Sequence, residues 1–267
     1  MKDLSNENIV HIKKDGVEYI QFKRLLEYPE IQHCYTLRND NLDFKIDGDI
    51  QVLETSYEKI CDVLKIDNKK IVKPIQTHTD NVEVVTNTSE QFKEVDGLIT
   101  NKENITLSTS SADCTSLLLY DPIKKVIGSI HSGWKGTLQR IGQKAVKKMI
   151  DEFGCNPEDI ICCICPHIRK CHFEVEDDVK ELFEKEFVNI CSKNDVIEKG
   201  EIINNAQKYY IDTTLINKIL LREIGLKDEN VIDSGICTVC NSDELHSYRS
   251  DREKSGRNAA IITRMSI

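Results

Sequence analysis

Apolar positions in this chain follow two periods, and the way they alternate outlines the fold. Residues 16–24, 71–76, 82–85 and 98–100 are short runs of strand character, and Asp96-Gly97 is a turn signal ahead of the last of them. Tyr57, Ile60, Cys61 and Leu64 recur at helical spacing behind Thr55-Ser56-Tyr57-Glu58, a capping-box pattern. In the middle of the chain, residues 116–120 and 126–131 read as two strands flanking the turn Asp121-Pro122-Ile123-Lys124. Gly133-Trp134-Lys135-Gly136 follows, then a helix over about 137–153 whose apolar stripe is Leu138, Ile141, Ala145 and Met149, closed by Gly154. Further helices are expected at 176–187 and at 212–224, the latter with Asp212 as N-cap and Gly225 just past its end. Strands and helices interleave, but hairpins lie among them. That predicts an α/β chain of the mixed α+β kind rather than a purely parallel doubly wound sheet. No repeat, linker or low-complexity segment divides it, so one domain over 1–267 is expected.

Composition narrows the partners. With 36 Lys+Arg against 45 Asp+Glu in 267 residues, the net charge is −9, which argues against nucleic acid or an anionic membrane as the main partner. The first sixteen residues are polar and charged with no apolar core of a signal peptide, and the apolar run at 160–165 is far too short to span a bilayer. A cytoplasmic protein is expected. No G-x-G-x-x-G or Walker pattern follows a strand. The 11 cysteines are an odd number in a chain without a signal, so they read as reduced thiols: core filler, metal ligands or a nucleophile. Cys61 and Cys191 read as filler.

The central hairpin brings out a candidate site. With Asp121–Lys124 as its loop, Tyr120 faces Lys125 and Cys114 faces His131, with Cβ atoms roughly 5 Å apart. A Cys beside a His suits either a thiolate nucleophile activated by imidazole or a metal centre. His78, in Gln76-Thr77-His78, would complete a Cys-His-His set. Three protein ligands with an open fourth position is the pattern of catalytic zinc. Blue copper shares the donor set but usually adds an axial Met, and no Met is near these motifs. The bland alternative is a pair of core residues. The glycine-bearing turn at 133–136 opens a helix whose N-terminus favours anions, with Lys135 adding charge.

Two further groups stand out. Cys237-Thr238-Val239-Cys240, with His246 six residues on, and the cluster Cys162, Cys163, Cys165, Cys171 and His172 together would make a structural zinc site or, less readily, a dithiol. A lone C-x-x-C without a second knuckle is a weak signal for either. The run from Tyr248 to Arg257, with Arg249, Arg252, Lys254 and Arg257, is either a solvated loop or an anion clamp.

Taken in order, Gln76-Thr77-His78, Asp96-Gly97-Leu98-Ile99-Thr100, Ala112-Asp113-Cys114, His131-Ser132-Gly133-Trp134-Lys135-Gly136, Phe173-Glu174-Val175 and Ser247-Tyr248-Arg249 through Gly256-Arg257 resemble a bacterial family. That family was long described as multicopper polyphenol oxidase or laccase-domain proteins. It is now described as zinc-dependent purine nucleoside phosphorylases with adenosine deaminase activity, and some members as peptidoglycan-editing factors. The resemblance runs from about His33 to the C-terminus. It implies a layered sandwich with mixed β-sheets flanked by helices, and it implies that His78, Cys114 and His131 bind catalytic zinc. Thr36-Leu37-Arg38 is similar to the family's early Ser/Thr-x-Arg segment. The chain departs from the family at Thr79, usually Gly, at Lys135, usually Arg, at Cys165-Pro166, usually Gly-Pro, and at His246, usually aromatic.

The leading expectation is therefore a zinc enzyme that phosphorolyses purine nucleosides to base and ribose 1-phosphate and deaminates adenosine. Lys135, Arg38, Arg249 and Arg257 are its expected substrate-binding residues. The partners expected are a nucleoside and phosphate. The rivals are a Cys-dependent hydrolase or amidase with Cys114 as nucleophile and His131 as base, acting for example on a cell-wall precursor; a copper-dependent phenol oxidase; and a non-catalytic binding protein.

Overall fold

A computed structural model describes residues 2–192 and 196–266; Met1, Ile267 and residues 193–195 lie outside the described residues. The fold is mixed α+β. One six-stranded sheet runs in the order Ile9–Lys14, Val17–Phe22, Ile31–Thr36, Asn258–Arg264, Thr106–Ser111 and Ile71–Val72. The other six-stranded sheet runs Val231–Asp233, Ile161–Ile164, Thr115–Asp121, Val126–Ser132, Gly97–Thr100 and Val82–Val84. Both are mostly antiparallel, with parallel pairs at their edges.

Strand alternation explains why the sheets stack. In Thr115–Asp121, Leu118 and Tyr120 point into a core shared with Phe22, Tyr35, Leu107 and Ile262 of the first sheet. Leu117 and Leu119 point the other way, onto Ile141, Ala145, Val146 and Met149 of the helix Ile141–Phe153. A strand buried on both faces reads as a continuous apolar run, as 117–120 does. The outer face of the first sheet is covered by the helix Ile50–Leu64 through Leu53, Tyr57, Ile60, Cys61 and Leu64. The result is a helix–sheet–sheet–helix sandwich. A small sheet of Glu174–Val175, Ala206–Ile211 and Ile197–Ile203 packs at one side with its own apolar cluster around Phe183 and Phe187. Among the described residues no helix is long and apolar enough to cross a membrane.

Several elements differ from the sequence expectation for identifiable reasons. The helix expected behind Thr55 begins at Ile50, because Asp49 caps it by accepting from the Gln51 amide at 2.8 Å. Ser56 is then mid-helix, and its hydroxyl accepts from the Asp43 amide instead. The single helix expected over 137–153 is two, Trp134–Leu138 and Ile141–Phe153, broken at Arg140 with φ of 62°. The break lets Trp134 and Leu138 turn toward the cluster around Phe183, while Ile141 and Ala145 stay on the sheet. The strand expected at 71–76 forms a ladder only at Ile71–Val72, since Pro74 has no N–H to give. The polar N-terminal stretch contains a strand, Ile9–Lys14; Asp15 and Gly16, both at positive φ, make the two-residue turn that folds it onto Val17–Phe22.

The central hairpin is also two positions out of the expected register. Asp121 belongs to the strand and pairs with Val126, because its carboxylate accepts from the Ile123 and Lys124 amides and so holds the turn from inside the ladder. His131 therefore pairs with Ser116, and Cys114 lies before the strand rather than opposite His131.

Candidate metal centre and active site

Cys114 still reaches His131, by a different route from the one a simple ladder predicts. Asp113, at φ of 84°, turns the chain just before Thr115–Asp121. Its carboxylate is fixed from both sides: Oδ1 accepts from Thr238 Oγ1 at 2.6 Å and Oδ2 from the Arg249 amide at 2.6 Å. The adjoining Cys114 thiol then lies 3.8 Å from His78 Nε2. The ligand atoms of His78, Cys114 and His131 all lie within 4.8 Å of one another. The two imidazoles meet edge-to-face with ring centres 5.0 Å apart.

Asp96 organises the three. It is fully buried, and its carboxylate accepts from the amides of Thr77, His78 and Thr79, from Thr79 Oγ1, and from His131 Nδ1 at 2.8 Å. The first four bonds fold the 77–79 loop, where His78 takes a φ of 62°. The last fixes the His131 tautomer, leaving Nε2 for the Cys114 side. Sequence reasoning took Asp96-Gly97 only as a turn signal and missed this role. Thr79 is more than a neutral departure from the family, since its hydroxyl adds one of these bonds. Gly133 is required by space rather than by φ: a Cβ there would lie 2.8 Å from His78 Cδ2 and 3.3 Å from Cys114 Sγ.

The electrostatics match the geometry. Burial alone would raise the Cys114 thiol, but the facing His131 and the hydrogen bonds from both histidines bring it down to about 6. Burial disfavours charge on His131, yet the Cys114 thiolate and Asp96 lift it to about 9. Asp96 is held down at about 2 despite its burial, by the His131 hydrogen bond and charge and by Thr79. A thiolate is therefore ready-made, which is the form a metal or an electrophile needs. One sulfur and two imidazole nitrogens at these separations fit a tetrahedral ion with one position left open.

The centre opens into a cavity of about 640 Å³ lined by His78, Cys114, His131, Trp134, Phe173, Tyr248, Arg249 and Arg257, among others. A volume of that order holds a small organic substrate. The Arg249 guanidinium donates to the carbonyls of His172 and Glu174, and that of Arg257 to those of Ser255 and Gly256. Neither guanidinium is neutralised by a carboxylate in these bonds. Two other expected binding residues do not line the cavity. Arg38 is tied to the Ser242 carbonyl and to Asp251, and Lys135 is exposed with its ammonium over the Trp134 ring. Lys45, which no motif singles out, does line it.

The second cysteine group also resolves. Cys162, Cys163 and Cys165 are fully buried strand and core residues, and His246 donates through Nε2 to the Leu42 carbonyl. Cys171, His172, Cys237 and Cys240 come together.

Comparison with known proteins gives one family. Residues 32–265 match the model of the multi-copper polyphenol oxidoreductase laccase family. The chain is 32% identical over 225 residues to the purine nucleoside phosphorylase YlmD of Bacillus subtilis, covering 81% of this chain and 78% of that protein. It is 29% identical over 234 residues to the adenosine deaminase RL5 of an unknown prokaryotic organism, covering 83% and 85%. In structure it is similar to the hypothetical protein YfiH of Bacillus licheniformis, with a TM-score of 0.84 at 25% identity over 96% of this chain and 99% of that one.

Proposed function

The chain belongs to the multi-copper polyphenol oxidoreductase laccase family, and we propose that it is a zinc-dependent purine nucleoside phosphorylase that also deaminates adenosine. The observation that carries this reading is the meeting, in one cavity, of a Cys-His-His set able to hold a metal, two arginines without carboxylate partners among the described residues, and three aromatic side chains. Zinc is favoured over copper by the surroundings: Met149 packs in the core beneath the second sheet and Met265 against the first, so neither supplies an axial thioether.

A zinc ion held by His78, Cys114 and His131 supplies a Lewis acid able to acidify water and polarise a substrate atom. The chain's own groups account for the rest. Asp96 keeps His131 oriented with its proton on Nδ1. Arg249 and Arg257 bring positive charge to the cavity for phosphate. In phosphorolysis a phosphate oxygen bonds to C1′ of the ribose as the bond from C1′ to the base breaks, leaving ribose 1-phosphate and free base. Trp134, Phe173 and Tyr248 offer faces for the purine and keep water from C1′, which would otherwise compete with phosphate. In deamination the C6 amino group of adenosine leaves as ammonia and water oxygen takes its place, so that reaction uses the same base pocket without needing phosphate.

The test is metal content and turnover measured together. The wild type should release base from inosine or adenosine only when phosphate is present, and Cys114→Ala should lose both that activity and one zinc. A metal-stripped protein that keeps full turnover would sink the proposal. One observation favours a second reading: Cys114, His131 and Asp96 also line up as nucleophile, base and orienting acid, with the thiol already lowered. A thiol hydrolase would stay active without metal and be blocked by alkylation of Cys114.

A further inference from the structure

We propose that Cys171, His172, Cys237 and Cys240 form a second zinc site, structural in role and separate from the centre at Cys114. The four ligand atoms are arranged as a coordination shell. Cys171 Sγ lies 3.7 Å from Cys237 Sγ and 3.8 Å from Cys240 Sγ. His172 Nδ1 lies 3.2, 3.8 and 3.5 Å from the sulfurs of Cys171, Cys237 and Cys240. A tetrahedral zinc with bonds of about 2.3 Å to sulfur and 2.0–2.1 Å to nitrogen sets sulfurs about 3.8 Å apart and sulfur and nitrogen about 3.5 Å apart. The observed separations scatter about those values. Three sulfurs and one nitrogen complete the tetrahedron, so no position is left for a substrate, which is the mark of a structural site.

The other uses of these cysteines fit less well. Cys171 and Cys240 are exposed, so they are not core filler. A disulfide takes two sulfurs and leaves the third, with the imidazole nitrogen, facing nothing it was arranged to meet. Only a cation uses all four groups.

The fold builds the shell from two separate segments. Cys171 and His172 sit on a turn in which the His172 and Phe173 amides donate to the Arg169 carbonyl. Cys237 and Cys240 sit on a tight turn whose end is held by Asn241, with its side chain donating to the Cys237 carbonyl. Both segments also touch the active site. The Ile168 amide donates to the Asp113 carbonyl, Thr238 holds the Asp113 carboxylate, and the His172 carbonyl accepts from Arg249. A metal at this place ties together the two loops that hold Asp113 and Arg249.

The experiment is zinc counting on the full chain, purified under reducing conditions from zinc-supplemented medium, and it needs no assumption about activity. The wild type should carry about two zinc per chain and Cys114→Ala about one. Cys171→Ser with Cys240→Ser should also carry about one, and all three substitutions together should leave none. Cys114→Ala stripped of metal and refilled with Co²⁺ should show thiolate-to-cobalt charge-transfer absorption, and chelator should lower its melting temperature. Cys240→His keeps four ligands and should keep the second ion, which separates the loss of a ligand from a failure to fold. One zinc in the wild type and none in Cys114→Ala would overturn the proposal. So would unchanged zinc on removing Cys171 and Cys240, or a metal-free protein isolated with Cys171 in a disulfide. If nucleoside turnover is absent but two zinc ions are found, the functional reading fails and this one stands.

Discussion

Asp96→Asn isolates the role of the buried carboxylate behind the metal centre, because it changes hydrogen bonding while leaving volume almost unchanged. Asp96 accepts five bonds through two oxygens. Asparagine offers one oxygen, and each way of placing it is costly. With the oxygen toward His131 Nδ1 and the His78 amide, the new NH₂ faces the amides of Thr77 and Thr79, which lose their acceptor. Each such loss costs about 1–3 kcal/mol when the donor is shielded from water. Thr77 is exposed and Thr79 half-buried, so a total of about 2 kcal/mol, near the low end, is expected. With the amide reversed, NH₂ faces His131 Nδ1, whose proton must move to Nε2, the atom needed as ligand. Either way the first metal site loosens, by about 10- to 100-fold in affinity, as for the loss of other groups that orient a ligating histidine. That corresponds to about 1.4–2.7 kcal/mol at 1.36 kcal/mol per tenfold. The assay is competition with a chromophoric chelator in a Cys171→Ser, Cys240→Ser background, alongside thermal unfolding. A folded Asp96→Asn protein whose zinc affinity stays within about threefold of its parent would refute the reasoning.

Gly133→Ala should weaken zinc at the same centre with little change in secondary structure, because φ at 133 suits any residue and only the 2.8 Å approach to His78 is at fault; a metal titration equal to wild type would show that His78 gives way freely. Arg257→Ala should raise KM for phosphate in phosphorolysis by about 10- to 100-fold, the range for a charged hydrogen bond, and leave adenosine deamination nearly unchanged, since phosphate takes no part in it; equal losses in both reactions would place Arg257 outside phosphate binding. Glu30 accepts from Lys125 and Tyr120, which hold its carboxyl at about 2 against an ordinary 4.5. The unfolded chain therefore binds the proton first as pH falls, so the stability from Glu30 is whole above pH 4.5 and is lost between there and about 2. Glu30→Gln should flatten the acid limb of a stability–pH curve in that window, and an unchanged slope would remove Glu30 as its source.

Local chemistry was legible wherever one residue decides the outcome. Asp212 caps Thr213–Glu223 through the Leu215 amide, as its position before an apolar-periodic run predicts. Gly154 closes its helix in the left-handed region. Where two signals compete, packing decides, and packing is non-local. Thr55 and Glu58 carry a capping pattern, but they belong inside a helix whose start is set by Asp49 and whose face is set by Cys34, Ala259 and Ile261 on the sheet beneath. Arg140 carries no helix-breaking signal at all. It takes the left-handed conformation between two helices that pack on different clusters, and its guanidinium reaches Glu186 and lies over Phe187 on a distant element.

The candidate site shows the same division more sharply. His78, Cys114 and His131 are singled out by donor chemistry together with an expected ladder that sets Cys114 opposite His131. The hairpin is two residues from the expected pairing, yet the thiol still meets the imidazoles, because Cys114 lies outside the ladder and the turn at Asp113, with its carboxylate held by Thr238 and the Arg249 amide, places it there. The residues that hold the ligands were not selected, and for a physical reason. Asp96 and Asp113 act through bonds to Thr77, Thr79, Thr238 and the Arg249 amide, partners up to 136 positions away. An aspartate beside a glycine, or before a cysteine, looks the same in sequence whether it faces solvent or closes such a network. What distinguishes these two is burial of a carboxyl group, and burial of such a polar group without partners is too costly to persist. Asp96 at zero exposure thus had to be saturated with donors, and the donors it recruited are the backbone of the His78 loop and the ring of His131.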